Sequence, residues 1–148
     1  MNISFDLDST IIPNGDEFKT ETIGWIGKLF KVEKIRKGSK DLILKLQNDG
    51  HKVNIYTTSF RSKSRIRRTL KYYGISVNRI VNQTENQKIL KSKNIYSTKY
   101  PPAFNFDVHI DDLPGVKIEG GKYNFKTIII HPSDKNWADI IINELKTI

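Results

Sequence analysis

The chain contains no cysteine, so neither a disulfide framework nor a thiolate metal site is available to it. It also has no apolar run of the roughly 18 to 20 residues that a membrane span requires. The first residues, Met1 to Asp6, carry no basic segment followed by an apolar one, so a secretory signal is not expected. At 148 residues, with 37% hydrophobic side chains, the chain is long enough to bury a core without such supports. We therefore expect a single domain over 1–148 and a cytoplasmic location.

Acidic residues are scarce relative to basic ones, with 16 Asp and Glu against 25 Lys and Arg and a formal net charge of +9. Such an excess concentrates anionic ligands around a cleft, but it does not choose among nucleotides, sugar phosphates and nucleic acid. The densest basic cluster is made of Arg61, Lys63, Arg65, Arg67, Arg68 and Lys71. A cationic helix face interleaved with Ile66 and Leu70 is more typical of a solvated surface, although it also suits a phosphate backbone.

Hydrophobic periodicity predicts alternating strands and helices. Short apolar runs bounded by turn residues predict strands over 3–7, 52–57, 79–82, 107–110 and 127–131. Helical patterns lie between them: one from Ser39 as N-cap to Gly50, one from Ser62 or Ser64 to Gly74, a weaker one over 85–92 and a last one over 137–146. This alternation predicts an α/β fold with three α/β/α layers, Rossmann-like, around a mostly parallel five-stranded sheet.

The segment 11–38 fits this alternation least well. Its residues 13–16 read as a turn, and 22–32 read as a short helix or flap that carries Trp25 and Phe30. The segment is too short for a second domain. We expect a short flap or cap-like insert and no substantial cap.

Polar side chains follow three of the predicted strands. Asp6 and Asp8 follow the first predicted strand. Thr57 and Thr58 follow the second, and Asp111 and Asp112 follow the fourth. The carboxyl ends of parallel strands meet at one edge of a sheet, where open α/β proteins bind their ligands. Two carboxylates one residue apart repel unless a cation or a shared proton compensates. Taken alone, Asp6 to Thr10 is equally compatible with a polar turn.

The order Asp-x-Asp-x-Thr, strand-Thr, Lys and strand-Asp-Asp resembles the haloacid dehalogenase (HAD) superfamily, most of whose members are metal-dependent phosphohydrolases. The resemblance runs from Ile3 to at least Gly115, and four motifs in sequence are far more specific than one. It implies a HAD-like domain with Mg²⁺-dependent phosphatase activity on phosphate monoesters.

The resemblance also implies roles for the four aspartates. Asp6 would be the nucleophile that forms an aspartyl-phosphate. Asp8 would protonate the leaving oxygen and then activate the water that hydrolyses the intermediate. Mg²⁺ would be held by the Asp6 carboxylate, the main-chain carbonyl of Asp8 and the Asp111 carboxylate, with Asp112 contributing directly or through a further contact.

By the same resemblance, Thr57 binds the phosphoryl oxygens, with the Thr58 hydroxyl one residue on, and a lysine neutralises their charge. We favour Lys99, which is closely followed by proline before the Asp-bearing strand, and keep Lys88 and Lys91 as alternatives. Arg61 lies close to the predicted phosphate site and suits a bidentate contact with the non-reacting part of the substrate.

No histidine is assigned to catalysis. His109 is expected to point into packing against a helix and away from the metal.

A site without a cap favours large substrates, such as a nucleotide or a nucleic-acid phosphate end, or closure by a partner chain. It argues against a phosphomutase, which must shield its intermediate from water, and Asp8 argues against dehalogenation.

A two-component receiver domain also combines acidic residues, Thr and Lys around Mg²⁺, but in a different order along the chain. The remaining alternative is a catalytically idle, basic HAD-like module that binds nucleic acid or a protein. Such a module need not retain Asp6, Asp8, Thr57, a lysine and Asp111 together.

Overall fold

Five parallel strands form one sheet in the computed structural model, which describes residues 1–148. The strands are β1 (Asn2–Phe5), β2 (Lys52–Tyr56), β3 (Ile80–Val81), β4 (Val108–Asp111) and β5 (Lys126–Ile129). Their order across the sheet is β3-β2-β1-β4-β5. The chain therefore builds outward from β1 on one side and then crosses to β4 on the other.

Six α-helices flank the sheet: α1 (Trp25–Leu29), α2 (Ser39–Asn48), α3 (Lys63–Tyr72), α4 (Gln83–Ser92), α5 (Pro114–Tyr123) and α6 (Trp137–Leu145). A short 3-10 helix covers Pro101–Phe104. The strands alternate, so that one sheet face packs its Ile, Val and Phe side chains against apolar residues of α2, α3 and α6. On the opposite face, Tyr56 and Val81 pack with Phe104, Phe106 and Ile89 of α4. This arrangement confirms the predicted three-layer, Rossmann-like α/β fold.

The predicted helix starts agree with the structure at α3 and differ from it at α2. Ser62 is the N-cap of α3, as expected, and its Oγ accepts a hydrogen bond from the Arg65 N–H at 3.3 Å. Ser39, however, is the first residue of α2 and not its N-cap. Gly38 takes the cap position with a φ of 85°, and the Ser39 hydroxyl donates to the Arg36 carbonyl at 2.6 Å instead. Glycine adopts this left-handed conformation without steric cost.

Helix α5 was not predicted, because Pro114 and Gly115 read as turn residues after β4. Proline is equally at home in the first turn of a helix, where its missing N–H costs nothing. Gly120 also weakens the helical pattern, yet it is required by packing. A Cβ at this position would lie 2.8 Å from the Phe125 carbonyl oxygen.

The segment 11–38 forms a flap, which is the name used below for these residues. An antiparallel bridge joins Thr20 to Arg36 at its base, and the five-residue α1 lies further out. Two tyrosines anchor the flap to α3 and its end: Tyr72 Oη accepts from the Gly24 N–H at 2.8 Å, and Tyr73 Oη donates to the Glu33 carbonyl at 3.1 Å. A flap of this size leaves the carboxyl edge of the sheet without a substantial cap. None of the helices combines the length and apolarity needed to cross a membrane.

Candidate active site

The candidate site lies where the strand order reverses, between the carboxyl ends of β1 and β4. The two strands are neighbours, with Phe5 paired to Ile110. Asp6 follows β1 directly and donates its N–H to the Ile110 carbonyl at 2.8 Å, while Asp111 is the last residue of β4. In open α/β sheets this switch point is the place where ligands bind. The sequence motifs at the ends of these two strands therefore meet in one place.

A buried lysine joins the two aspartates. Lys99 Nζ lies 2.7 Å from Asp6 Oδ1 and 2.5 Å from Asp111 Oδ2. All three residues are buried, Lys99 to 2% exposure. The two alternatives from the sequence, Lys88 and Lys91, are exposed on α4. The structure thus brings Lys99 to the carboxylates, and its role toward a phosphoryl group stays a prediction.

The loop that carries Lys99 is fixed from both sides. The Tyr100 N–H donates to Tyr56 Oη at 2.8 Å, and Tyr56 Oη donates to Asn86 Oδ1 at 2.6 Å. Asn86 in turn donates through Nδ2 to the Thr98 carbonyl at 2.8 Å. A strand residue and a helix residue therefore hold the backbone on either side of Lys99, which keeps its ammonium group at the carboxylates.

His109 is placed differently from the sequence prediction. Its Nε2 lies 3.0 Å from Asp111 Oδ2, its Nδ1 lies 2.9 Å from Ser4 Oγ, and its ring packs 5.2 Å from that of Tyr56. The expectation that it points away from the candidate metal ligands was wrong, because His109 and Asp111 are two residues apart in a strand and therefore share a face. Burial and the charge of Lys99 lower the pKa of His109. A neutral imidazole here orients the Asp111 carboxylate.

The three buried charges differ in how well they are compensated. Burial favours neutral Lys99, but Asp6 and Asp111 outweigh it and raise the Lys99 pKa. Burial also works against ionised Asp111, yet hydrogen bonds from His109 and Lys99 leave its pKa lowered. For Asp6, burial is the largest effect and the Asp111 charge adds to it, so its pKa is raised despite Lys99. Of the two aspartates that Lys99 joins, Asp6 is therefore the less well compensated.

Carboxylate oxygens of Asp6, Asp111 and Asp112 lie within 4.8 Å of one another. Burial and the neighbouring Asp111 raise the pKa of Asp112. Asp6 Oδ1 is buried and accepts no hydrogen bond, since its contact with Lys99 has the distance of an ion pair without hydrogen-bond geometry. Three carboxylates against one lysine leave a net negative site with a free oxygen lone pair. Such a donor set fits a hard divalent cation.

The carboxylate of Asp8 lies outside this cluster and is bound by Arg61. Arg61 Nη1 donates to both Asp8 oxygens, at 2.8 and 2.9 Å, and to Ser59 Oγ at 2.8 Å. On its other side, Arg61 Nε donates to both carboxylate oxygens of Glu33 at 3.0 Å. Glu33 belongs to the flap, and nothing in the sequence pattern pointed to it. Arg61 is thus engaged with protein carboxylates, and its predicted contact with substrate requires an exchange of partners.

The two threonines after β2 have different surroundings. Thr57 is buried, and its Oγ1 accepts a hydrogen bond from the Ser59 N–H at 3.1 Å, which leaves its hydroxyl hydrogen free to donate. Thr58 is exposed. Because Ile55 pairs with Phe5 in neighbouring strands, Thr57 lies at the same sheet edge as Asp6, one strand away. Their contacts with a phosphoryl group stay predictions.

Comparison with protein-family models finds no match for this chain, and a search of curated proteins finds no similar sequence. The geometry of the site and the order of its motifs are therefore the basis for assigning a function.

Proposed function

We propose that the protein is a Mg²⁺-dependent phosphomonoesterase of the haloacid dehalogenase superfamily. The observation that carries the proposal is the meeting of Asp6, Lys99, Asp111 and Asp112 at the switch point of the sheet. These residues come from three separate parts of the chain, and they are among the residues that the motif resemblance singles out. A polar turn or a surface salt bridge would not require three carboxylates and a lysine to converge with so little exposure.

In the proposed reaction, a carboxylate oxygen of Asp6 attacks phosphorus, and the bond from phosphorus to the leaving oxygen breaks. Asp8 supplies the proton that the leaving oxygen takes up. Asp8 then removes a proton from water, which attacks the phosphorus of the aspartyl-phosphate and releases inorganic phosphate and free Asp6. Lys99 stabilises the negative charge on the phosphoryl oxygens, and the Thr57 hydroxyl donates to one of them.

Asp6, Asp111, Asp112 and the main-chain carbonyl of Asp8 would hold Mg²⁺ in this scheme. The bound ion supplies positive charge that allows a carboxylate and a phosphate, both anions, to approach each other. Lys99 performs part of that task already, because it lies between Asp6 and Asp111.

The contact between Arg61 and Asp8 adds a step to the scheme. Both Asp8 oxygens accept from Arg61 Nη1, so proton delivery to a leaving group requires Arg61 to release at least one of them. A substrate whose non-reacting part carries an anion offers Arg61 a new acceptor. Binding of that part would then free Asp8 for proton transfer.

The surroundings of the site favour a large, anionic substrate such as a nucleotide or a nucleic-acid phosphate end. No substantial cap covers the carboxyl edge, and the exposed face of α3 carries Arg65, Arg67 and Arg68. Phe60, which directly precedes Arg61 in the chain, is also a large aromatic side chain and is 70% exposed. Aromatic and cationic groups together are what single-stranded nucleic acid binds.

The basic activity is tested with p-nitrophenyl phosphate, with and without Mg²⁺. We expect hydrolysis that depends on Mg²⁺. Asp8→Asn should lower the rate by about 10²- to 10⁴-fold on an alkyl phosphate and by less on p-nitrophenyl phosphate, whose leaving group needs little help from an acid. The matched control is Asp49→Asn on the surface of the protein, which should keep wild-type rates. If the wild-type protein turns over p-nitrophenyl phosphate no faster than the Asp6→Asn variant does, the result would instead favour the catalytically idle module.

Substrate preference is tested by comparing a terminally phosphorylated oligonucleotide with a small sugar phosphate. We expect kcat/KM to favour the oligonucleotide at low salt and to lose that advantage as salt is raised, because phosphate contacts release counterions. Arg67→Ala with Arg68→Ala should weaken the preference and leave the rate on the sugar phosphate unchanged. Equal rates on both substrates at low salt would contradict the preference.

A further inference from the structure

A cavity of about 590 Å³ lies beside the carboxyl end of β5, and none of the candidate active-site residues lines it. Its walls include four cationic side chains and two aromatic ones: Lys19, Arg36, Lys37, Lys135, Phe18 and Trp137. The three lysines are exposed, whereas Arg36 is 2% exposed. The cavity thus has one deep cation and several cations at its rim.

The Arg36 guanidinium group is held firmly, but all of its hydrogen-bond acceptors are carbonyls and none is a carboxylate. Its guanidinium carbon lies 4.5 Å from the ring centre of Phe18 and 4.8 Å from that of Trp137. All hydrogen bonds of the guanidinium group leave from Nη2, to the carbonyls of His131, Pro132 and Asp134 at 3.2, 3.0 and 2.8 Å. No carboxylate accepts a hydrogen bond from the group, although Asp134 and Glu17 attract its charge from a greater distance, and the buried Nη1 has no hydrogen-bond partner. Rings and carbonyls offset only part of a buried charge.

The two acidic residues in the cavity wall are engaged elsewhere. Glu17 accepts from the Ser9 hydroxyl at 3.0 Å and from the Asn14 N–H at 2.9 Å. Asp134 accepts from the His131 N–H at 2.8 Å. Both carboxylates shape the loops, and they favour the charged form of Arg36 only from a distance, which does not outweigh the effect of burial in lowering the Arg36 pKa. The cavity therefore carries a net positive charge with one guanidinium edge unused.

We propose that this cavity is a phosphate-binding site, with Arg36 as its deep cation and Lys19, Lys37 and Lys135 as its rim. A guanidinium group with a free edge suits the oxygens of a phosphate, and lysines add charge without demanding a fixed geometry. Nη1 itself is buried, so the proposal requires a side chain of the cavity wall to move before a phosphate oxygen can reach it.

The cavity lies on the same edge of the sheet as the candidate active site. The Ile130 N–H, at the start of the loop that lines the cavity, donates to the Asp111 carbonyl at 2.8 Å. The Arg36 N–H donates to the Ile11 carbonyl at 2.6 Å, and Glu17 bonds Ser9, the neighbour of Asp8. If the proposed function holds, a second phosphate of the substrate is one source of the ligand. Free inorganic phosphate is the other.

Binding is tested by calorimetric titration of inorganic phosphate into Asp6→Asn protein without divalent metal. The test variant carries Lys37→Ala and Lys135→Ala, and the matched control carries Lys88→Ala and Lys91→Ala on α4. Lys37 uses only its backbone to bond Lys19 and Trp137, so the fold should survive the change. We expect the test pair to weaken binding about fivefold or more and the control pair to leave it unchanged. No phosphate binding, or equal weakening by both pairs, would overturn the site.

The source of the phosphate is tested by steady-state kinetics on a nucleoside 3′,5′-bisphosphate and on p-nitrophenyl phosphate. If the cavity binds a second phosphate of the substrate, the test pair should raise KM for the bisphosphate about fivefold and leave its kcat unchanged. The same variant should leave both kcat and KM for p-nitrophenyl phosphate unchanged. Unchanged KM for both compounds, together with weakened calorimetric binding, assigns the site to free phosphate. Absence of hydrolysis by the wild type would refute the proposed function, and the titration alone would then decide the cavity.

Discussion

If the proposed function holds, Asp6→Asn is expected to lower hydrolysis of p-nitrophenyl phosphate by about 10³-fold or more, because it removes the proposed nucleophile and not merely a binding contact. A carboxamide oxygen is a much weaker nucleophile than a carboxylate oxygen. The measurement is kcat with saturating Mg²⁺, joined by acid trapping of the phosphorylated protein from a radiolabelled substrate. Wild-type protein should carry one labelled aspartyl group, and the Asp6 variant should carry none.

The same substitution should not unfold the protein. Burial and the Asp111 charge already work against ionised Asp6 and raise its pKa, so removing its charge costs little in the metal-free state. We expect the melting temperature without metal to stay close to that of the wild type, while the rise caused by added Mg²⁺ becomes smaller. Asp49→Asn, at an exposed ion pair with Lys45, serves as the control for both readouts. Labelled protein or substantial turnover in the Asp6 variant would refute the nucleophile assignment.

The fold was readable from the sequence because each strand ends at a clear signal. Apolar runs gave way to Asp6, Thr57 and Asp112 where the chain leaves the sheet, and glycines such as Gly50 and Gly74 closed the helices in left-handed conformations. These signals are local, so one sequence is enough to find them. Convergence of the motifs then followed from the parallel arrangement of the strands.

The parts of the site that sequence reasoning missed depend on contacts between distant segments. Glu33 binds Arg61 across 28 positions of the chain, and no local pattern marks a flap residue for that role. His109 was different, since two-residue periodicity places it on the same strand face as Asp111. The signal for His109 was present and was misinterpreted. Helix α5 was not predicted because Pro114 and Gly115 are typical turn residues, although proline also suits the first turn of a helix.

The charges of the site show how the proposed metal ion would complement the lysine. Lys99 contacts Asp6 and Asp111, and Asp112 lies close to both of these aspartates. A single positive charge beside three carboxylates leaves the group net negative. A divalent cation would reverse that balance and make the site attractive to phosphate. Without the lysine, the proposed metal ion would have to compensate the carboxylates alone, so the stability of the fold should then depend on it.

Lys99→Met tests that dependence and should have a large effect on stability. The substitution leaves Asp6 and Asp111 buried without their shared cation, and breaking a buried ion pair from one side costs about 3–5 kcal/mol. For a chain of this length, that corresponds to a drop in melting temperature of roughly 10 °C. Added Mg²⁺ should recover part of the loss, so the variant should gain more from the metal than the wild type does.

The matched control is Lys88→Met, an exposed lysine on α4, which should change the free energy of unfolding by less than about 0.5 kcal/mol and leave the metal response unaltered. Melting curves are recorded for all three proteins across a range of Mg²⁺ concentrations, with Ca²⁺ as a second hard cation. Should Lys99→Met melt like the wild type, or respond to metal no more strongly, then Lys99 would not be compensating the carboxylate cluster. If instead the excess response appears and is abolished by adding Asp111→Asn, the stabilising ion and the lysine act on the same carboxylates.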